Sequence, residues 1–213
     1  MSTTVAWPKL RRNLVAILRG VTPGEIAGIG EAIHEAGIDA IEVPLNSPDP
    51  FRSIETLAKR LPLALVGAGT VVRPDDVECL HEAGGQLLVS PNVDPDILAR
   101  ASGFGMVTMP GVFTATEAFL AHHSGASALK FFPASVLGPS GISALKAVLP
   151  REVVVGVVGG VSDADFAAYA KVGVTAFGLG SSLYKPGLDH VEVGKRAKAA
   201  VAAYDAVFGG RHE

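Results

Sequence analysis

The chain has 213 residues, of which 48% are hydrophobic and 18% are charged, with a formal net charge of −3. This composition favours a folded protein with a large core and argues against disorder. The acidic balance provides no basic surface for nucleic acid, and no apolar run is long enough to cross a membrane. The one cysteine, Cys79, excludes an internal disulfide. Because the N-terminus also lacks a signal-peptide pattern, we expect a cytoplasmic protein.

After a short lead, residues 2–13, apolar runs and helical patterns alternate along the chain. The apolar runs begin near Leu14, Ala40, Leu63, Leu87, Met106, Ala128, Val153 and Thr175. Their spacing of about 20 to 25 residues, with a helical pattern after each run, predicts a (β/α)8 TIM barrel. The last helical pattern covers residues 190–208. No linker or low-complexity run divides the chain, so we expect a single domain over residues 1–213.

Glycines support the predicted alternation of helices and strands. A glycine ends several of the helical patterns and leads into the next strand, as a helix C-cap does, at Gly37, Gly84, Gly105, Gly125 and Gly173. A doubly wound open sheet is the alternative fold, but it requires a glycine fingerprint after its first strand. The first predicted strand ends in Leu18-Arg19-Gly20-Val21 and lacks that fingerprint.

The most informative residue is Lys130, which lies within the apolar run Ala128-Leu129-Lys130-Phe131-Phe132-Pro133. A lysine at such a position commonly extends to water from a strand end, which would be a structural role. Alternatively, burial lowers the pKa of the amine, so that its neutral form can attack a ketone and form a Schiff base. The other polar residues at the predicted strand ends favour the second interpretation.

Side chains alternate between the two faces of a strand, and this alternation assigns three further polar side chains to a face of their predicted strands. Arg19 shares a face with Val15 and Ile17, and Glu42 shares a face with Ala40 and Pro44. Thr70 shares a face with Val66 and Ala68, and Lys130 with Ala128 and Phe132. We expect all four faces to point into the barrel, where active sites lie at the C-terminal strand ends.

Glu42 and Arg19 each have a structural alternative. Glu42 could form a buried ion pair with Lys130, or it could be the general acid and base beside a covalently bound substrate. Arg19 could bind a substrate carboxylate with both nitrogens, or form a salt bridge to Glu42 or to an acidic loop residue.

Glycine-rich turns end the seventh and eighth predicted strands. Gly159 and Gly160 follow the seventh strand and its Val158, and Gly180, Ser181 and Ser182 follow the eighth. In barrels of this kind the loops at these two strands often bind phosphate through backbone N–H groups.

The histidines lie in helical patterns without strand carboxylates beside them, so we expect no metal and no cofactor. An amine nucleophile, a carboxylate, an arginine and a phosphate site together suggest cleavage of a carbon–carbon bond in a phosphorylated keto-acid.

The chain resembles the family of class I aldolases that act on 2-keto-3-deoxy-6-phospho sugar acids. The matching motifs are Glu42-Val43-Pro44-Leu45-Asn46-Ser47-Pro48, Gly67-Ala68-Gly69-Thr70-Val71, Leu129-Lys130-Phe131-Phe132-Pro133 and Val158-Gly159-Gly160-Val161. The resemblance implies a lyase of EC 4.1.2 type, with Lys130 as the Schiff base and Glu42 as the acid/base. It also implies that Arg19 and Thr70 hold the pyruvyl carboxylate and that the glycine-rich turns hold the phosphate. It further implies a homotrimer.

Two departures from the gluconate-type motifs of this family concern the substrate. Those enzymes carry Thr-Leu-Arg-Thr after the Glu-Val pair and Thr-Gly-Gly in the seventh strand. Here the first motif reads Pro44-Leu45-Asn46-Ser47, with Asn46 in place of the arginine, and Val158 replaces the threonine of Thr-Gly-Gly. The expected reaction is therefore cleavage of 2-dehydro-3-deoxy-6-phosphogalactonate to pyruvate and glyceraldehyde 3-phosphate. The alternatives are the gluconate epimer, 4-hydroxy-2-oxoglutarate, a sugar-phosphate isomerase or epimerase, and, more remotely, a non-catalytic sensor of phosphorylated ligands.

Overall fold

A computed structural model describes residues 4–209, so residues 2–3 of the predicted lead lie outside the described residues. Strands and helices alternate along this range. The strands are β1 (Leu14–Ile17), β2 (Ala40–Pro44), β3 (Leu65–Gly69), β4 (Leu87–Val89), β5 (Val107–Met109), β6 (Gly111–Val112), β7 (Leu129–Phe131), β8 (Val155–Val158) and β9 (Ala176–Leu179). The helices are α1 (Ile26–Ala36), α2 (Pro50–Arg60), α3 (Asp76–Glu82), α4 (Pro95–Gly103), α5 (Ala115–His123), α6 (Ala134–Lys146), α7 (Phe166–Lys171) and α8 (His190–Phe208).

The strands form one parallel sheet in the order β5-β4-β3-β2-β1-β9-β8-β7-β6. The two edge segments, β5 and β6, are consecutive in the chain and flank Pro110, which has no N–H to donate. Hydrogen bonds to β7 and its preceding residue continue across this break: Ala128 N donates to Thr108 O, and Lys130 N donates to Pro110 O. The two edges are therefore halves of one strand. The sheet closes into the predicted (β/α)8 barrel, in which β7 is the sixth barrel strand.

Two layers of apolar side chains hold the barrel together. The larger, outer layer lies between sheet and helices and contains the buried rings of Phe131, Phe166 and Phe177. The inner layer consists of Val15, Ala40, Leu65, Leu87, Val89, Val107, Met109 and Ala128, and Trp7 and Leu10 of the lead pack against it. Most of these inner residues lie near the start of their strands. The lead therefore covers the N-terminal end of the barrel, and the C-terminal end forms the mouth.

Membership of the two layers identifies the inward face of each strand. Ala40 and Ala128 belong to the inner layer, so alternation directs Glu42 and Lys130 into the barrel as predicted. The same reasoning holds for β1, where Val15 is an inner residue. These positions lie nearer the C-terminal end than the inner layer does, so their side chains occupy the mouth.

The predicted inward face of the third strand was wrong. Val66 and Ala68 lie in the outer layer, whereas Leu65 lies in the inner layer. The inward positions of β3 beyond Leu65 are therefore Gly67 and Gly69. Thr70 follows the strand with a positive φ of 58°, which takes it out of the strand alternation. Its side chain reaches the mouth for this reason and not by the period-two pattern.

The predicted glycines lie at or just after the C-terminal ends of helices. Gly37 caps α1 in the left-handed region, and each of the other four predicted cap glycines also has a positive φ. Asp94 caps α4 by accepting hydrogen bonds from Asp96 N and Ile97 N. The final helix, α8, spans residues 190–208 as predicted.

None of the helices within residues 4–209 has the length and hydropathy that a membrane span requires.

Candidate active site

Lys130 lies in the middle of β7 and is only 6% exposed. Its neighbours in register are Gly111 on β6 and Gly156 on β8, so the side chain projects from between two strands that carry no side chain at that level. The ring of Phe132 lies 5.0 Å from Nζ. Burial lowers the pKa of the amine to about 8, an effect that Glu42 opposes and that Arg19 reinforces. On the order of a tenth of the amine is therefore neutral at pH 7, far more than for a lysine in water.

Glu42 lies in β2 and is 3% exposed. A Cβ added to Gly69 would overlap its carboxylate carbon and both oxygens, so β3 leaves space for this side chain by carrying glycine. Burial raises the pKa of the carboxyl to about 7, while the positive charges of Lys130 and Arg19 act in the opposite direction. The oxygen Oε2 is buried and has no hydrogen-bond partner among residues 4–209.

Glu42 and Lys130 influence each other's pKa, yet they do not form the close ion pair of the structural alternative. None of the salt bridges among residues 4–209 joins the two side chains. Both groups remain inside an apolar barrel with charges that are only partly compensated, which is costly for stability. Such a pair of groups, each with a pKa shifted towards neutrality, is typical of acid–base chemistry.

Arg19 follows β1 and contacts two residues from neighbouring strand ends. Its Nη1 donates to Asn46 Oδ1 at 2.5 Å, and Nη2 lies 3.4 Å from Thr70 Oγ1. The predicted residues Arg19, Asn46 and Thr70 are therefore adjacent at the mouth. Within the described part of the chain, Arg19 forms no salt bridge to Glu42 or to another acidic side chain. Its partners are neutral, so its charge is available for an anionic ligand.

The two glycine-rich turns lie beside each other, because β8 and β9 are paired strands. Gly159 and Gly160 have φ values of 90° and 72°, a region that favours glycine. Ser182 Oγ donates to Val161 O at 3.2 Å and so links the two turns. Ser181 is exposed, so its hydroxyl faces solvent.

Val158 is the last residue of β8 and lines the mouth beside its neighbours on β9 and β1. A Cβ added to Gly178 would lie 2.6 Å from Val158 Cγ2 and 3.2 Å from Ile17 Cδ1. Val158 therefore belongs to an apolar wall formed with Ile17. Asn46 lies at a different part of the mouth, in contact with Arg19.

Sequence reasoning did not find the glycines that make room for the polar side chains. Gly67 and Gly156 pair in register with Glu42 and Lys130, and Gly69 lies against the Glu42 carboxylate. Their signal was present, since glycine inside a strand often marks a close approach. Within residues 4–209 no group of three or more His, Cys, Asp or Glu side chains is placed to hold a metal ion.

Comparison with known proteins gives a consistent result. A family model described as "Aldolase: KDPG and KHG aldolase" matches residues 9–195. A Rhizobium meliloti (strain 1021) protein named probable 2-dehydro-3-deoxy-6-phosphogalactonate aldolase is 58% identical over 205 residues, covering 96% of this chain and 97% of that protein. The 2-dehydro-3-deoxy-6-phosphogalactonate aldolase of Escherichia coli (strain K12) is 46% identical, covering 90% and 94%.

A solved structure described as native KDPGal superimposes with a TM-score of 0.93 at 44% identity, covering 96% of this chain and 99% of that chain. Together with the barrel, these similarities define an aldolase, a lyase that cleaves carbon–carbon bonds. The chain belongs to the KDPG and KHG aldolase family.

The contact between Gly69 and Glu42 generates a prediction. In Gly69→Ala the added Cβ overlaps the Glu42 carboxylate, which must move from its buried position. We expect kcat to fall by about 10²-fold or more, the scale typical of a misplaced acid–base group. Steady-state turnover and thermal unfolding should be measured together.

Gly103→Ala at the end of α4 is the matched control, because an added Cβ there meets nothing within 4 Å. It should leave kcat unchanged. If Gly69→Ala retained the turnover of this control, the close fit of Glu42 against β3 would have no part in the reaction.

Proposed function

We propose that the protein is a class I aldolase that cleaves 2-dehydro-3-deoxy-6-phosphogalactonate to pyruvate and glyceraldehyde 3-phosphate. The observation that carries the proposal is the burial of Lys130 in the barrel mouth together with Glu42, with the amine pKa lowered to about 8. A buried lysine without a close counter-ion is costly in a structural role, but it is what an amine nucleophile requires. The single barrel domain carries the whole site, and the proposal assigns no role to a metal or cofactor.

The reaction follows from the properties of the two buried groups. The neutral amine of Lys130 attacks the C2 ketone, and loss of water gives a protonated imine. Removal of the C4 hydroxyl proton breaks the C3–C4 bond, and the electron pair moves into the imine to give an enamine. Glyceraldehyde 3-phosphate leaves, C3 is protonated, and water releases pyruvate and the amine. Glu42, whose pKa is raised to about 7, is suited both to accept and to donate these protons.

The two ends of the substrate have separate binding sites in this proposal. Arg19, supported by Asn46, binds the carboxylate next to the ketone, and Thr70 adds a hydroxyl. The phosphate binds at the turns that contain Gly159, Gly160, Gly180, Ser181 and Ser182. Because Ser182 Oγ already donates to Val161 O, Ser181 is the better placed of the two serines to supply a hydroxyl.

The choice of the galactonate epimer rests on two relatives and one side chain. The relatives that are 58% and 46% identical both carry the galactonate name. Val158 and Ile17 form an apolar wall where a threonine would add a hydroxyl. A hydroxyl in the pocket can favour one configuration at C4 by hydrogen bonding, and its absence removes that preference. The gluconate epimer and 4-hydroxy-2-oxoglutarate remain the alternative substrates to be compared.

We further propose that the protein is a cytoplasmic homotrimer. The resemblance to the aldolase family supports the trimer. The single cysteine, which is exposed and free, is compatible with a reducing compartment.

Covalent trapping tests the proposed chemistry. Incubation with pyruvate and borohydride should reduce the imine to a secondary amine and leave one 1-carboxyethyl group on Lys130, located by peptide mass spectrometry. Lys130→Met should gain no adduct. Glu42→Gln keeps the size of the side chain but cannot transfer protons, so turnover should fall by about 10² to 10⁴-fold and trapping should slow.

Lys146→Met is the matched control for trapping. Burial also lowers the pKa of Lys146, but its Nζ donates to Gly173 O beyond the end of α7, away from the mouth. This variant should be trapped normally at Lys130. An isomerase on the same barrel would give no adduct in the folded wild type, and that result would reject the proposed mechanism.

Substrate choice is tested by Val158→Thr. The change is close to isosteric and places a hydroxyl beside Ile17 and Gly178. We expect the ratio of kcat/KM for the two C4 epimers to shift towards the gluconate epimer by on the order of 1 kcal/mol, or about five-fold. Asn46→Arg should shift the ratio in the same direction if the new side chain reaches the sugar hydroxyls. An unchanged ratio in both variants would locate the epimer choice elsewhere.

A further inference from the structure

A buried tyrosine joins the turn after β9 to the loop after β1. Tyr184 is 3% exposed, and its hydroxyl donates to Glu25 Oε1 at 2.5 Å. Glu25 Oε2 accepts a second hydrogen bond, from Thr22 Oγ1 at 3.0 Å. Tyr184 and Glu25 are 159 residues apart in the chain, and the reaction described above uses neither of them.

The backbone ties Tyr184 closely to the predicted phosphate turn. Gly180 O accepts hydrogen bonds from both Leu183 N and Tyr184 N, each at 2.9 Å. Residues 180–184 therefore form one closed turn, and the position of the Tyr184 ring fixes the orientation of the turn that carries Ser181 and Ser182. A rigid turn holds its N–H groups in place before a phosphate arrives, which lowers the entropic cost of binding.

A second contact joins the same two loops. Gly20 has a φ of 82°, and a Cβ added there would lie 2.8 Å from Pro186 Cγ. The neighbouring residue is Arg19, the proposed carboxylate ligand. The loop after β1 is also fixed from its other side, because Gly20 N donates to Ser47 Oγ at 2.9 Å. The turn after β9 thus rests on a loop that is itself held by the loop after β2.

We propose that Tyr184 and Glu25 are positioning residues that hold the phosphate turn, residues 180–184, at a fixed distance from the carboxylate site at Arg19. The inference rests on the proposed function, since it assigns a task to the phosphate turn of that site. Neither residue touches the substrate. The hydrogen bond between a phenol and a carboxylate is charge-assisted, and burial makes its loss costly.

This arrangement also keeps a negative charge away from the phosphate. The Glu25 carboxylate is occupied by hydroxyl donors on both oxygens, so it is held in the loop after β1. Without the Tyr184 hydroxyl the carboxylate keeps only its hydrogen bond from Thr22, and a shift towards the turn would repel a phosphate group. Loss of the tyrosine hydroxyl should therefore weaken phosphate binding through both disorder and charge.

The test uses Tyr184→Phe and Glu25→Ala, which each remove the hydrogen bond. We expect KM for the phosphorylated substrate and Kd for inorganic phosphate to rise about five- to ten-fold, as for loss of one buried hydrogen bond. The double variant should be no worse than the more affected single variant, because both remove the same interaction. Glu25→Gln retains an oxygen that accepts from Tyr184, so it should restore most of the affinity. Pyruvate trapping at Lys130, which needs no phosphate site, should be unchanged.

Tyr204→Phe is the matched control. Its hydroxyl donates to Thr175 O at 3.2 Å at the opposite end of the barrel, so this variant also loses a tyrosine hydroxyl but leaves the mouth unaffected. It should leave KM and phosphate Kd unchanged, whatever its effect on thermal stability. Equal KM and phosphate Kd values in Tyr184→Phe and Tyr204→Phe would overturn the proposal. Failure of the wild type to trap pyruvate would reject the aldolase chemistry, and the phosphate Kd values would still decide whether the turn depends on Tyr184.

Discussion

Burial of an amine and a carboxyl in the same barrel mouth is the constraint on which the rest of the site depends. Lys130 and Glu42 are both removed from water, and among residues 4–209 neither has the close salt bridge that would compensate its charge. The desolvation that raises the pKa of the acid and lowers that of the amine brings both towards neutrality. The apolar layers below and around the mouth must offset this cost, as is common where function and stability compete.

Glycines in the neighbouring strands leave space for both groups, so the barrel buries them without bringing them into contact. Lys130 lies between Gly111 and Gly156 in register, and the Glu42 carboxylate lies against Gly69. Side chains at these positions would fill the space that the two long polar chains occupy. The loops at the mouth then carry the groups that we propose bind the two ends of the substrate. Since β1, β9 and β8 are adjacent strands, the proposed carboxylate and phosphate sites are neighbours in the sheet and are joined by contacts between loops.

Much of this arrangement could be predicted from the sequence. Alternating apolar runs and helix caps located the barrel strands to within about two residues, and Lys130 and Glu42 stood out because charge is rare in buried strands. The face of β3 could not be predicted by alternation. Val66 and Ala68 face the helices, and Thr70 reaches Arg19 only because its φ is positive. The Tyr184–Glu25 hydrogen bond joins distant parts of the chain, and no local pattern indicates such a contact.

The most direct test of the central claim is a titration of Lys130 itself, by NMR of protein labelled with ¹³C and ¹⁵N at the lysine Cε and Nζ atoms. Lys130→Met assigns the signal by its disappearance. The account predicts a pKa of about 8 for Lys130, well below the ordinary value of 10.5. In Glu42→Gln the pKa should fall further, because the carboxylate is the group that raises it. A Lys130 that titrated near 10.5 in the wild type, with no change in Glu42→Gln, would contradict the account.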